Sequence, residues 1–273
     1  MSQKLSILLV TCCLEESRAA IARQVINNIV DVCPPSWRDE AIVFDNCSTH
    51  LAPQELRRAF RNVVVSSRNV GYWSAIDWWL NSLVGDPPEY TYIIESDMVH
   101  TAAAWQMHAC VEFLDAHRDL GAMRMHDYQV AERHLYDKDN PRPDSRRNLW
   151  QSHTNRVTGR PVQHQHVSGP FWRTNFLTQL PALNRYPAML RCFDELRSRV
   201  SFTEPDFQAL YHEQYPEIAI LDGGMFNCDL NPYGTDVVTG SWTSPEALKR
   251  LGYHGTRTGS IARPGEYTTS WVP

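Results

Sequence analysis

Four apolar runs of strand length recur in the first hundred residues: LSILLVTCC (5–13), AIVFDNCST (41–49), NVVVSS (62–67) and YTYIIE (90–95). Continuous apolarity without polar alternation is the pattern of a strand covered on both faces. What separates the runs has a different period. ESRAAIARQVINNIVDVC puts Ile21, Val25 and Ile29 on one stripe with Ile26 and Val30 on the neighbouring one, the spacing of an amphipathic helix that Pro34-Pro35 closes. Pro53 suits the first turn of a helix over PQELRRAF, and a further helix is expected from about Ser74 to Leu83, followed by the turn GDPPE. Strands alternating with helices at this spacing build right-handed βαβ units, so the fold class is α/β with a mainly parallel central sheet flanked by helices.

Such a sheet needs a core, and a chain of 273 residues with 42% hydrophobic side chains can bury one. The net charge of −5 is no general match for nucleic acid, although a local basic patch is compatible with it. Seven cysteines, at 12, 13, 33, 47, 110, 192 and 228, form no C-x-x-C pair, and their odd number predicts free thiols in a cytoplasmic setting. The run from Ile7 to Leu14 is too short for a membrane span and lacks the charged start and cleavage site of a signal peptide.

In open α/β sheets ligands bind beyond the carboxyl ends of the strands. Here those ends carry Thr11, then Asp45-Asn46, then Glu95 and Asp97. Acids gathered at one rim repel one another unless a cation or a donor-rich ligand sits among them, and a divalent metal with a nucleotide meets that need.

Taken in order, VTCCLEE, VFDNCST, SSRNVGYWSAIDWWL and IIESDM resemble the nucleotide-sugar half of glycosyltransferases with the GT-A fold, family 2 in particular. The match covers about residues 5 to 100 and is looser afterwards. The resemblance implies a single GT-A-type, Rossmann-like domain over 1–273: residues 1–100 bind a nucleotide-diphosphate sugar, and 101–273 form an irregular acceptor and catalytic half. It implies Mn2+ or Mg2+ as cofactor. By position, Asp45 contacts base or ribose, Asn46 and Ser48 shape its loop, and Thr11 and Glu15 border the same pocket. Arg68, Asn69 and Gly71 match the loop under the donor, where glycine admits close approach and arginine meets phosphate. Asp97 takes the place of the metal ligand. Glu95 stands where the family has an aspartate, a departure that lengthens the side chain. Each piece also has a plainer reading: Asp45-Asn46 as turn formers, Asn69-Val70-Gly71 as a helix entry, Glu95-Ser96-Asp97 as a cap before a helix starting near Thr101.

Beyond residue 100, TAAAWQMHACVEFLDAHRDL reads as a helix capped by Thr101 and GAMRM (121–125) as a short strand. Residues 127–161 form a polar loop, with Arg142, Arg146, Arg147, Arg156 and Arg160 around Trp150; it suits either contact with a phosphate or a solvated surface. In VQHQHVSGPFWRTN, strand alternation puts His164 and His166 on one face, as a metal pair or a hydrogen-bonding rim. Gly169-Pro170-Phe171-Trp172-Arg173 resembles the family segment that floors the sugars, with Trp172 either stacking on a pyranose or simply buried. Glu204-Pro205-Asp206 resembles, with one residue inserted, the acidic pair that supplies the family's catalytic base; Asp206 is favoured and Glu204 second. The alternative is that both acids cap a helix. In SPEALKRLGYHGTRTGS, the resemblance assigns His254 to the cation beside Asp97 and Arg257 to the diphosphate, the alternative being exposed polar residues.

The expected activity is metal-dependent transfer of a sugar, with inversion, to an acceptor hydroxyl on a glycan, a small molecule or a modified nucleic-acid base. Two rivals remain. A nucleotidyltransferase calls for a glycine-rich loop after the first strand, and CCLEESRAA has no glycine. A non-catalytic carbohydrate- or nucleotide-binding protein accords with nine tryptophans and eleven tyrosines.

Overall fold

The computed structural model describes residues 4–100, 105–126, 157–175, 182–222, 225–227 and 258–272. In chain order the first part forms β1 (Leu5–Thr11), α1 (Glu16–Val32), α2 (Pro35–Glu40), β2 (Ile42–Asp45), α3 (Pro53–Ala59), β3 (Asn62–Ser66), α4 (Tyr72–Ser82), β4 (Tyr90–Glu95), β5 (Met98–His100), α5 (Trp105–Ala116) and β6 (Ala122–His126). The second part adds β7 (His164–Ser168), β8 (Phe171–Thr174), β9 (Ala182–Arg185), α6 (Tyr186–Arg197), β10 (Phe202–Thr203), α7 (Glu204–Gln214), β11 (Ile218–Asp222), β12 (Met225–Asn227), β13 (Thr258–Gly259) and β14 (Thr269–Trp271).

Ten strands share one sheet in the order β14-β3-β2-β1-β4-β9-β6-β11-β8-β7. The block β3-β2-β1-β4 is parallel throughout, as the βαβ rhythm predicts. The second half joins it through antiparallel β9, between β4 and β6, and ends in the β7–β8 hairpin, so the whole sheet is mixed. Both faces of the parallel block are covered, and the period of two shows how. Ile7 and Leu9, Val43, Val63, and Tyr92 and Ile94 pack into one core with α1, α3 and α5. Leu8 and Val10, Phe44, Val64 and Ile93 pack into the other with α4, α6 and α7. Each large aliphatic side chain so buried contributes about 1.5–3 kcal/mol, which is why unbroken apolar runs are read as double-sided strands.

The helices follow the expected positions with local differences. In α1 the buried stripe is Ile21, Ala22, Val25, Ile26 and Ile29, while Val30 is exposed. Pro35 does more than follow α1: it is the first residue of α2, where its missing N–H leaves no helical bond unmade. A third difference lies at the acids. Ser96 and Asp97 form a turn, after which Met98–His100 is a strand paired antiparallel with β12. Thr101 lies outside the described residues, as does 127–156 of the polar loop.

Candidate active site

The register of the parallel block decides which strand ends meet. Thr11 is level with Asp45, and Val10 with Glu95, so the ends of β2, β1 and β4 lie side by side at one rim. Asp45 is 1% exposed. Its Oδ1 accepts hydrogen bonds from the Thr11 hydroxyl at 2.9 Å, the Ser48 amide at 3.3 Å and the Ser48 hydroxyl. The Ser48 oxygen in turn accepts from the Cys13 amide at 2.8 Å, closing the β2 loop onto the β1 loop. Oδ2 of the same carboxylate is buried and makes no hydrogen bond. Burial raises the Asp45 carboxyl above its ordinary value, against the lowering effect of its Ser48 and Thr11 donors. A buried carboxylate oxygen without a donor is the chemistry that an O–H or N–H of a ligand satisfies. Cys47, next but one, holds a left-handed φ of 63°, a conformation that costs on the order of 1 kcal/mol outside glycine and recurs at ligand sites.

Asn46 and Asn69 act together as a staple between loops. Asn46 Nδ2 donates to Asn69 Oδ1 at 2.9 Å, and the Val70 and Gly71 amides donate to Asn46 Oδ1 and Asn69 Oδ1 at 2.8 and 2.9 Å. These two side chains are engaged by backbone and by each other, and they fix where α4 begins. Gly71 precedes that helix at φ 84°, a position open to glycine and strained for any residue with a Cβ.

The exit of β4 carries two acids, Glu95 and Asp97. Asp97 is 14% exposed; its Oδ2 lies 3.6 Å from Arg18 Nη2, itself 12% exposed, and its Oδ1 is buried without a hydrogen bond. Tyr72, first residue of α4, places its buried hydroxyl near Glu95 without a hydrogen bond of full geometry. Burial first, then the charges of Glu95, Asp97 and Glu204, push that phenol well above its ordinary range. The charge of Glu204 thus reaches the same phenol, although it lies more than a hundred residues further along the chain. The packing explains how: Trp73 stands 5.3 Å from the Phe202 ring and 5.2 Å from the Phe207 ring, which seats the start of α4 on the start of α7.

Asp206 has a different environment. Its Oδ2 accepts from the Thr203 amide at 2.5 Å and the Thr203 hydroxyl at 2.7 Å, and its Oδ1 is 3.6 Å from Arg199 Nη1. The Thr203 donors hold its carboxyl below the ordinary value. This is the helix cap of the plainer sequence reading. Glu204 meanwhile accepts from Gln208 Nε2 at 2.7 Å. Replacing Asp206 by Ala is expected to lower stability by about 1 kcal/mol, the worth of a cap, in urea denaturation; no change there would mean that the cap contributes nothing.

The other described candidates make separate contacts. Glu15 is the exposed residue before α1, touching the Ser17 hydroxyl at 3.5 Å. Arg68 is on the surface, 3.3 Å from Glu266. Trp172 lies on β8, four strands along from β4, on the order of 19 Å at about 4.8 Å per strand; its ring is 4.9 Å from that of His166. His166 Nε2 bonds the Gly169 carbonyl at 2.7 Å. His254 and Arg257 lie outside the described residues. The chain is described again from Thr258, whose backbone pairs with Thr203, the neighbour of Glu204.

Sequence reasoning missed Arg18 and Tyr72. A signal for the first exists: an arginine in the first turn of a helix opposes the helix dipole and so calls for an acidic partner. Tyr72 carries no comparable mark. Among the described residues no group of three or more His, Cys, Asp or Glu side chains could hold a metal ion. The site nevertheless fits a hard cation of the kind that nucleotides bring with them. Such ions bind through one or two carboxylates plus phosphate oxygens and water, and Asp97 offers an unengaged buried oxygen beside Glu95.

No family model and no curated protein matches the sequence. Solved structures do. A mannosyltransferase from Pyrobaculum calidifontis, in complex with GDP-Man and Mn2+, superposes with a TM-score of 0.50 at 14% identity over 86% of this chain and 59% of its own. S. aureus TarS 1-349 does so with a TM-score of 0.49 at 14% identity over 82% of this chain and 60% of its own. Its complex with UDP-GlcNAc gives 0.48 at 15% identity over 82% and 58%. The chain thus spans about three fifths of the length of these proteins. The mannosyltransferase is thus a neighbour in fold, and the mixed α/β sheet flanked by helices is of the GT-A type.

Proposed function

We propose that this chain is a glycosyltransferase that moves a sugar from a nucleotide-diphosphate donor to an acceptor hydroxyl with inversion, assisted by a divalent cation. One observation carries the reading: the charges of Glu95, Asp97 and Glu204 all act on the buried Tyr72 hydroxyl, and the exit of β4 adjoins the rim that holds the unsatisfied Asp45 oxygen. The mannosyltransferase of the same fold was solved with GDP-Man and Mn2+, and the proposal takes that class of donor and cation for this chain.

In this reading Asp45 Oδ2 receives a hydrogen bond from the base or ribose. Asp97, with Glu95 beside it and His254 as a further ligand, would hold Mn2+ or Mg2+, and Arg257 would meet the diphosphate. When bound, the cation supplies charge stabilisation for the departing diphosphate. Glu204 takes the proton from the acceptor hydroxyl as its oxygen bonds to the anomeric carbon, and the bond from that carbon to the diphosphate breaks with its electron pair leaving on the nucleotide. A single displacement of this kind inverts the anomeric configuration. Of the two acids opening α7, Glu204 is preferred because the Asp206 carboxylate is engaged by Thr203. The acceptor is a hydroxyl compound from among glycans, small molecules and modified bases.

The testing experiment is a thermal-shift panel of UDP, GDP, dTDP and CDP, each with Mn2+, Mg2+ or EDTA. A ligand at a hundred times its Kd stabilises the native state by about 2.7 kcal/mol, enough to move the melting temperature by several degrees. The expected result is a shift with one nucleotide that EDTA removes, joined by release of that nucleotide from its sugar conjugate. Absence of a shift with all four overturns the proposal; a shift without any turnover supports the binding-protein alternative instead.

A further inference from the structure

Arg18 has no part in the reaction above, yet its surroundings are those of a working residue. It sits in the first turn of α1, where the helix dipole disfavours a cation, and it is largely buried. Its charge reaches the Cys12 and Cys13 thiols at the end of β1 as well as Asp97 beyond β4, so it stands between two strand exits of the candidate site. The separation of 3.6 Å from Asp97 is a charge contact and not a hydrogen bond. Such a contact neutralises a largely buried carboxylate while leaving it easy to release, and without any cation that carboxylate would be strongly disfavoured.

A divalent ion on the same carboxylate would lie close to the guanidinium, and the two cations repel each other. A diphosphate changes the balance, because its oxygens accept the planar fork of an arginine while sharing the ion. Resting on the function proposed above, we infer that Arg18 is a positioning residue that makes cation binding conditional on the donor: it holds Asp97 when the nucleotide is absent and turns to the diphosphate when the nucleotide arrives.

The test is titration of Mn2+ alone, followed by the electron paramagnetic resonance of the free ion, on the wild-type chain and on Arg18→Met, Arg18→Gln and Arg18→Lys. The series is repeated with the nucleoside diphosphate that gives the largest thermal shift. Both neutral variants are expected to bind Mn2+ alone about tenfold more tightly than wild type, equivalent to one factor of ten in Kd. The tightening that the nucleotide confers shrinks to match, while Arg18→Lys, which keeps the charge, stays near wild type. In an Asp97→Asn background the Arg18 substitutions should no longer alter Mn2+ affinity. Two neutral variants guard against one that fails to fold. Unchanged or weaker Mn2+ binding in the folded neutral variants, with nucleotide and metal still bound by wild type, overturns the role of Arg18 alone. Failure of wild type to bind Mn2+ with any of the nucleotides overturns both this role and the proposed function.

Discussion

Asp97→Asn is expected to abolish turnover, with kcat/KM falling on the order of a thousandfold, while the chain still folds. The substitution keeps the shape of the side chain and removes its charge. A cation at a departing phosphate supplies several kcal/mol of charge stabilisation, and each 1.36 kcal/mol is about tenfold in rate. The stability cost comes from a different source. Arg18 loses its charged partner at 3.6 Å, and because both groups are mostly buried the loss lies between those of exposed and buried pairs, about 1–3 kcal/mol. A domain with a net stability of about 5–15 kcal/mol survives that. Donor consumption with metal present, alongside a circular-dichroism melt, checks both halves. Wild-type turnover in the folded variant would show that Asp97 does not serve the reaction.

The second large effect separates the two acids of α7. Glu204→Gln is expected to lower kcat by about 10²–10⁴-fold, the range of a general base, with nucleotide affinity and melting temperature close to wild type. The amide keeps the contact with Gln208, so the helix loses little. Asp206→Asn should behave in the opposite way, with activity within a few-fold of wild type and the deficit in stability, because Asp206 holds the Thr203 amide and hydroxyl. The single-turnover rate of donor cleavage with acceptor present reads the difference directly. A collapse of the rate in Asp206→Asn, with Glu204→Gln active, would reverse the assignment and return it to the order preferred from sequence.

Much of the first hundred residues could be read before any coordinates. The apolar runs of β1, β2, β3 and β4 have no competing period, and the glycine at 71 stands where the backbone requires a positive φ. What escaped was short or partnered from afar. β5 has three residues and β10 two, each held by a strand more than fifty residues away in the chain, so no local period marks them. The antiparallel β9, inserted between β4 and β6, is equally invisible, because its neighbours are chosen by the packing of the second half. Asn46 and Asn69, read from the sequence as residues of the donor loops, are bonded to each other and to the start of α4, partners that no local pattern announces.

The sequence by itself determined the α/β alternation and that Thr11, Asp45, Glu95 and Asp97 would come to one rim. Apolar runs of this length must be covered on both faces, and parallel strands in right-handed units end on the same side of their sheet. Only the tertiary structure decided that the charge of Glu204 reaches the Tyr72 phenol together with those of the β4 acids while Asp206 closes a helix, and that Arg18 faces Asp97. Two carboxylates in one helical turn are alike in sequence. The seating of Trp73 on Phe202 and Phe207, and the donors of Thr203, make their surroundings different.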